Sequence, residues 1–218
     1  MLFRSPDADE GEIMDKCLIL HAEHGFNAST FTARVVASTL STCYCSISAA
    51  MGSLYGSLHG GANEKVLDVV DEIGSEDNVG PWLDSALQEK RKIMGMGHRV
   101  YKAKDPRSYV MEEFLKKLSD KNGDRTNYDI LKKLESSFKE IIEEKGKKIY
   151  PNVDFFSGSV YTLLGIPRIY YTPIFAMARS VGWLSHILEQ RRDNRIYRPR
   201  GLYVGSEKRE FIPIENRK

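Results

Sequence analysis

Four short segments of the chain place titratable side chains beside glycine or at an apparent helix start. They are HAEHG (21–25), LHGGANE (58–64), MGMGHRVY (94–101) and PNVDFFSG (151–158). Of the five histidines in the chain, His24, His59 and His98 stand directly next to glycine. Glycine lets the backbone approach a ligand closely, so these positions favour an exposed, oriented imidazole. The alternative for each histidine is a turn residue with ordinary hydrogen bonds. This alternative explains the pattern less well when three such segments occur together.

A carboxylate and three guanidinium groups are further candidates. Asp154 stands among apolar neighbours, and loss of solvation would make it a stronger base when ionised. Its alternative role is to cap the helix that follows. Guanidinium forks bind carboxylates in a bidentate way, although most arginines are solvated surface residues. The candidate arginines are Arg107, Arg179 and Arg198.

Three other patterns indicate chemistry only weakly. His21 and His24 are three residues apart and would share a helix face, but no further ligand stands near them at a familiar zinc spacing, so we expect no metal. The run Gly95-Met96-Gly97 could turn backbone N–H groups towards a phosphate or an adenine, but it lacks the full phosphate-loop spacing. The basic run 190–200 is interrupted by Asp193 and lacks a series of aromatic residues, so we expect no nucleic-acid binding.

The composition is that of an ordinary globular protein. The chain has 218 residues, 41% of them hydrophobic and 28% charged, and a net charge of +2. That balance argues against a dedicated nucleic-acid or polybasic membrane module. Three cysteines fit a reducing compartment, no segment is apolar enough to span a membrane, and no signal peptide is visible. We therefore expect a cytoplasmic protein.

The spacing of apolar residues is mostly helical, so the predicted fold class is all-α. Helices are expected at about 12–24, at 28–54 as one deeply buried helix, and from Asp105 as cap with Pro106 in the first turn. Others are expected over 126–145, ended by Gly146, and over 173–191 with Phe175, Ala178, Val181 and Leu188 directed inward.

Two hinge candidates divide the chain. They are the glycine cluster at 56–61 and the turn at 166–168. The segment between them is charged and amphipathic, whereas the flanking helices are more uniformly apolar. We therefore predict part of a large helical domain over 1–60, a smaller mobile helical domain over 61–168, and a return to the large domain with an extended tail over 169–218.

Taken together, these segments resemble citrate synthase in its shorter bacterial and archaeal form. The strings that carry the resemblance are HAEHGFNASTFTAR (21–34), LHGGANE (58–64), IMGMGHRVYK (93–102) with DPR (105–107), PNVDFFSG (151–158) and IYRPR (196–200). Five collinear motifs over nearly the whole chain make a chance similarity very improbable. The resemblance implies condensation of acetyl-CoA with oxaloacetate and water to citrate and CoA.

The resemblance also implies a role for each matching residue. Asp154 resembles the base that removes a proton from the acetyl-CoA methyl group. His59 resembles the group that hydrogen-bonds the thioester oxygen, and His98 the acid that protonates the oxaloacetate ketone. Oxaloacetate ligands are implied at His24, Arg107, Arg179 and, towards the site of a neighbouring subunit, Arg198. Part of the CoA site is implied at Met94, Gly95, Met96, Gly97 and Lys102, with the CoA thioester as a co-substrate and no permanently bound cofactor.

The resemblance begins just ahead of the first histidine motif, whereas family chains have a substantial further N-terminal portion. We therefore expect either a homodimer or a complement with a missing N-terminal portion, and helices with apolar surface left exposed. Two alternatives stay open. One is a 2-methylcitrate synthase that uses propionyl-CoA, since one methylene is worth only about 1–3 kcal/mol of discrimination. The other is a catalytically silent helical fragment that pairs with a full-length synthase.

Overall fold

A computed structural model describes residues 5–98 and 100–217, so Arg99 of the motif 93–102 lies outside the described residues. The described part is helical, and its β-type pairing is an isolated bridge between Met96 and Pro151. The α-helices are α1 (Ala8–Ala22), α2 (Ala28–Ser38), α3 (Cys43–Leu54), α4 (Ala62–Ile73), α5 (Val79–Gln88), α6 (Pro106–Asn122), α7 (Thr126–Glu144), α8 (Asp154–Leu163) and α9 (Tyr171–Arg192). The predicted all-α fold is confirmed.

Several helix ends follow directly from local sequence. Asp105 caps α6, its side chain accepting the Arg107 N–H, and Pro106 is the first helical residue, as predicted. The helix predicted over 126–145 is α7, and the chain leaves it through Gly146 at a φ of +66°. These signals work because each satisfies backbone groups that a helix end leaves unpaired.

The segment 28–54 is two helices, so the prediction of one long, deeply buried helix is wrong. Leu40 takes a left-handed φ of +62° after α2, and the Thr42 side chain then caps α3 by accepting the Cys45 N–H. Thr42 therefore begins a separate helix, α3. Hydroxyl side chains can bond to the backbone in this way, and such a bond replaces one of a continuous helix. Burial is also partial, since Tyr44 is 86% exposed.

Two other helical predictions need correction. The first helix runs over Ala8–Ala22 rather than 12–24, because Asp7 and Glu10 form a capping box at its start. His24 therefore lies in the loop after α1, and it does not share a helix face with His21. In α9, Phe175 and Ala178 are buried as predicted, but Val181 and Leu188 are 62% and 60% exposed.

Two groups of buried apolar side chains hold the helices together. The larger group joins α1, α4, α5, α6, α7 and α8, and it includes Cys17, Leu67 and Phe155. The smaller group joins α2, α3 and α9 around Trp183 and Leu54. The division at residues 60/61 and 168/169 stays a prediction. In the described part of the chain, no helix has both the length and the apolar character needed to cross a bilayer.

Candidate active site

A cavity of about 1000 Å³ opens between the ends of several helices, and most of the predicted site residues line it. The predicted residues in its wall are His24, His59, Met94, Gly95, Met96, Gly97, His98, Arg107, Asp154 and Arg179. Lys102 and Arg198 are not part of this wall. Both are exposed, and Arg198 donates from Nη1 to the Pro199 carbonyl oxygen at 2.8 Å.

Asp154 is the first residue of α8, at the cavity wall. The Asn152 side chain accepts the Asp154 N–H at 2.9 Å, so the alternative in which Asp154 itself caps the helix is wrong. Burial raises the pKa of Asp154 to about 6, although the nearby positive charges of Arg107 and Arg179 lower it. A carboxylate with this pKa is ionised near neutral pH and is basic enough to accept a proton.

His59 precedes α4 and is held by Ser29 at the start of α2. Its Nε2 lies 3.3 Å from the Ser29 backbone nitrogen and 2.8 Å from the Ser29 Oγ. Asn27 Oδ1 also lies 3.2 Å from Nε2, but it already accepts the Ser29 hydroxyl and the Thr30 N–H. A backbone N–H can only donate, so we assign the lone pair of the neutral ring to Nε2 and the proton to Nδ1. Burial, with the charge of Arg179, lowers the pKa of His59 to about 4. The imidazole is therefore neutral and has one N–H to offer.

His98 has the opposite tautomer. Its Nδ1 accepts the backbone N–H groups of Val100 and Tyr101, each at 3.1 Å, so the proton of the neutral ring is on Nε2. Burial lowers the pKa of His98, which favours the neutral ring. The His24 ring stands edge-on to it with 5.1 Å between centroids, and the His24 Nε2 is 3.0 Å from the Tyr101 hydroxyl. Burial also lowers the pKa of His24, to about 4.

The two arginines of the cavity are held differently. Arg107 pairs with Asp105, from Nη2 to Oδ2 at 2.7 Å. Arg179 is 1% exposed and donates from Nε to the His21 carbonyl oxygen at 2.6 Å. Its Nη1 is buried with no hydrogen-bond partner in the part of the chain that the structure describes. Burial and the charge of Arg107 lower the pKa of Arg179 to about 10. A guanidinium with an unused buried donor fits an anionic ligand.

The loop 94–97 is fixed against the start of α8. Gly95 has a φ of +75°, and a Cβ there would lie 2.8 Å from the Val66 side chain and 2.9 Å from the Phe155 backbone, so only glycine fits. The N–H groups of Met96 and Gly97 bond to the carbonyls of Ile93 and Tyr150. These two N–H groups are therefore used within the protein and are not free for a phosphate or an adenine.

Four residues that hold the site escaped the sequence reasoning. Tyr101 and Ser29 lie inside motifs that were recognised, so their proximity to histidine was a usable signal. Asn152 precedes Asp154 by two residues, a spacing typical of an Asx cap. Trp183 donates from Nε1 to the Ser29 Oγ at 3.1 Å, and its distance of 154 residues along the chain leaves no local signal.

Comparison with known proteins identifies the family. The family model described as "Citrate synthase, C-terminal domain" matches residues 1–200. A relative named citrate synthase 2, from Bacillus subtilis, is 50% identical over 97% of this chain and 56% of its own length. A relative named 2-methylcitrate synthase, from Shewanella oneidensis, is 44% identical over 98% of this chain and 56% of its own.

A solved structure agrees. It is the ternary complex of carboxymethyl coenzyme A and oxaloacetate with citrate synthase from the archaeon Thermoplasma acidophilum. It matches with a TM-score of 0.90 and 40% identity, over 98% of this chain and 57% of that one. The chain thus spans little more than half the length of these relatives. Its matched residues, and the cavity that they build, show that it belongs to the citrate synthase family.

Proposed function

We propose that this chain supplies the reacting groups of a citrate synthase, which condenses acetyl-CoA with oxaloacetate and water to give citrate and CoA. One observation carries the proposal. A single cavity combines a desolvated carboxylate, two neutral imidazoles of opposite tautomer and two arginines. Condensation of a thioester with a ketone needs a base, a donor for each carbonyl oxygen, and cations for the ketone's two carboxylates.

The proposed steps follow from the proton positions. The ionised Asp154 removes a proton from the methyl group of acetyl-CoA. The Nδ1–H of His59 donates to the thioester oxygen and stabilises the enol or enolate that forms. The enol carbon then attacks the ketone of oxaloacetate, and the Nε2–H of His98 protonates the ketone oxygen. Water then hydrolyses the resulting citryl-CoA to citrate and CoA: it returns one proton to His98 as its oxygen attacks the thioester, and the proton held by Asp154 goes to the departing CoA thiolate.

Oxaloacetate is held by two guanidinium charges and one neutral imidazole. We assign its carboxylates to Arg107, Arg179 and His24, and the unused buried Nη1 of Arg179 supports this. For CoA we assign the loop 94–97 and the exposed Lys102. The complex of the Thermoplasma acidophilum enzyme with carboxymethyl coenzyme A and oxaloacetate supports the pairing of these two ligands. No permanently bound cofactor takes part in these steps.

We further propose that the chain works as a homodimer in the cytoplasm, with Arg198 reaching the site of the neighbouring subunit. Large apolar side chains on α3 and α9 are exposed, among them Tyr44, Met51, Val181 and Leu188. Exposed apolar side chains of this kind favour association. The three cysteines are free thiols, which supports a reducing compartment. Sedimentation at increasing protein concentration tests the dimer, and a monomer at all concentrations contradicts it.

The segment 61–168 is proposed to close over the substrates, with hinges at 56–61 and 166–168. The cavity supports this, because its wall combines residues inside that segment with His24 and Arg179 outside it. Small-angle scattering with oxaloacetate and a CoA analogue tests it. An unchanged radius of gyration contradicts closure.

The central test is release of the CoA thiol from acetyl-CoA and oxaloacetate by the purified protein. Asp154→Asn removes the base and keeps the shape, while Asp84→Asn makes the same change on an exposed position of α5. We expect thiol release by the unaltered chain and by Asp84→Asn, and almost none by Asp154→Asn. No release by the unaltered chain, or full release by Asp154→Asn, contradicts the proposal.

A second candidate is 2-methylcitrate synthesis from propionyl-CoA, which the Shewanella oneidensis relative favours. The same reacting groups serve both acyl chains, so the size of the acyl pocket decides. Discrimination by one methylene is worth about 1–3 kcal/mol. The ratio of kcat/KM for the two thioesters separates the candidates, and a larger value for propionyl-CoA selects the second.

A further inference from the structure

One face of α9 runs along the segment that carries His24 and that contacts His59 through Ser29. The residues of this face, spaced by three, one and three positions, are Arg179, Gly182, Trp183 and His186. All four face the segment 21–29, which begins in the last turn of α1 and ends in the first turn of α2. This face therefore fixes where that segment lies, and the proposed function uses only Arg179 from it.

The first contact is between His186 and Glu23, the residue before His24. His186 Nε2 lies 2.9 Å from Glu23 Oε1, while its Nδ1 lies 3.2 Å from Arg34 Nη1. Arg34 can only donate, so the neutral His186 accepts from it at Nδ1 and donates from Nε2 to Glu23. Glu189 completes the cluster, 2.7 Å from Arg34 and 3.6 Å from His186 Nδ1.

Gly182 makes the approach of α9 to this segment possible. A Cβ at this position would collide with the Ala22 carbonyl oxygen and would lie 3.3 Å from the Glu23 Cα. The residue after Glu23 is His24, which is hydrogen-bonded to the Tyr101 hydroxyl. His24 thus sits one residue beyond a point where backbone and side chain are both held by α9.

The second contact leads to His59. Trp183 is 1% exposed and donates from Nε1 to the Ser29 Oγ at 3.1 Å. The same Ser29 Oγ lies 2.8 Å from His59 Nε2. Ser29 is 0% exposed, so no water replaces the tryptophan as its donor. The indole therefore fixes the serine that fixes the tautomer of His59.

We propose that α9 positions two imidazoles independently, His24 through His186 and Glu23, and His59 through Trp183 and Ser29. His186 and Trp183 are positioning residues, since each acts through another side chain. The assignment of oxaloacetate to the first and acetyl-CoA to the second rests on the proposed function. A reacting group moved by about 1 Å can lose roughly a hundredfold in rate, so both contacts matter for turnover.

Trp183→Phe tests the second contact, because it removes the N–H and keeps most of the ring. Trp82→Phe is the matched control, since the other tryptophan of the chain also donates from Nε1, to Glu72 Oε2 at 3.0 Å, and neither of these residues lines the cavity. We expect Trp183→Phe to shift the ring resonances of His59 in the ligand-free protein and to leave those of His24 in place. Under turnover, kcat falls roughly tenfold with the KM for oxaloacetate unchanged.

His186→Leu and His186→Gln test the first contact. The amide of Gln restores the donor to Glu23, whereas Leu does not. We expect His186→Leu to shift the ring resonances of His24 alone and to raise the KM for oxaloacetate roughly tenfold, with much of the change rescued by His186→Gln. Lys116→Leu is the control, because it breaks an exposed ion pair with Asp120 on α6.

The resonances need no substrate, so they test the positioning even where the chain releases no thiol and the proposed function fails. Separate shifts, of His59 by Trp183→Phe and of His24 by His186→Leu, support the proposal. Both rings shifting equally in both variants means that α9 acts as a whole, and this overturns the proposed independence. Neither ring shifting in folded variants overturns the positioning itself.

Discussion

The starts of α6 and α8 each carry an aspartate, and the surroundings treat the two carboxylates oppositely. At the start of α6, burial alone would raise the pKa of Asp105, but the hydrogen bonds and charge of Arg107 outweigh it and lower that pKa. At the start of α8, burial raises the pKa of Asp154 to about 6. Asp105 also caps its own helix, whereas Asn152 performs that task for Asp154.

The difference gives the two carboxylates different roles: Asp105 holds its neighbours in place, and Asp154 is free to react. Asp105 uses its oxygens on the backbone and side chain of Arg107, so it has none to spare for chemistry. Asp154 is relieved of capping, and among the described residues no hydrogen bond to its carboxylate is seen. A carboxylate in this state is the costlier one for stability and the more useful one for removing a proton.

The largest expected effect comes from removing the charge of Asp154, the carboxylate at the start of α8. Asp154→Asn should lower the rate of thiol release by roughly 10²- to 10⁴-fold, the range of a lost general base. Oxaloacetate binding, measured by calorimetry, should remain, because the arginines are untouched. A variant that turns over at more than a tenth of the unaltered rate removes Asp154 from the role of base.

Asp154→Asn should also change stability with a defined sign. The folded pKa of Asp154 lies above its ordinary value of 3.8, so its contribution to stability is present below pH 3.8 and is lost as pH rises through about 6. At pH 7 the variant should therefore unfold at higher denaturant, by on the order of 2–3 kcal/mol. Equal stability of the two proteins from pH 4 to pH 8 contradicts the raised pKa.

The pH profile of turnover gives the next largest effect. Below about pH 6, protonation of Asp154 should lower kcat/KM for acetyl-CoA about tenfold for each pH unit. The negative charge of Asp105 contributes to the raised pKa, and the positive charge of Arg107 opposes it. Asp105→Asn should therefore move this acid limb to lower pH. A shift to higher pH contradicts the electrostatic account.

Asp105→Asn tests the role of the other aspartate, the one that holds Arg107. It keeps a helix cap but leaves Arg107, whose side chain is 13% exposed, without its ion pair. We expect a loss of about 2 kcal/mol near neutral pH and a raised KM for oxaloacetate. Because the pKa of Asp105 is lowered, this stabilisation is present above pH 3.8 and is lost as pH falls through the folded value. Denaturation of the two proteins should therefore converge in acid.

The smallest effect is expected from the cap that relieves Asp154. Asn152→Ala removes the acceptor for the Asp154 N–H and the donor to the Gly97 carbonyl oxygen at 2.9 Å. It should cost about 1 kcal/mol and raise the KM for acetyl-CoA a fewfold. Asn122→Ala is the control, since Asn122 is exposed and makes a single 3.4 Å contact with the Leu163 carbonyl. Equal effects of the two changes would falsify a special role for Asn152.

Local signals predicted the parts of the fold that depend on neighbouring residues. Asp105 with Pro106, and Gly146 after α7, mark helix ends because capping acts within a few residues. Thr42 carried the same kind of signal, but the apolar spacing of 28–54 concealed it. Val181 and Leu188 continue the helical period of α9 and are nevertheless exposed, because periodicity shows which face is apolar and not what covers it.

The sequence predicted most of the residues that line the candidate site, but it did not predict the residues that hold them in position. His24, His59, His98 and Asp154 lie around one cavity, as their motifs indicated. Arg179 lies there too, although it belongs to none of those motifs. The tautomer of His98 is set by its near neighbours Val100 and Tyr101. The contact that sets the tautomer of His59 comes from Ser29, which is distant in sequence, and a single sequence gives no measure of such proximity. Lys102 and Arg198 lie outside the cavity wall, and their roles stay predictions.

The residues that build the cavity are far apart in the sequence, and this has a consequence for the rate at which the cavity forms on refolding. Arg179 bonds to the His21 carbonyl across 158 residues, whereas α2 and α3 meet as neighbours in sequence. Contacts between distant residues pay a loop-closure entropy before they return any stability, and they form late. On refolding, the helical circular dichroism should therefore recover first, and the ability to bind oxaloacetate should return in a slower phase.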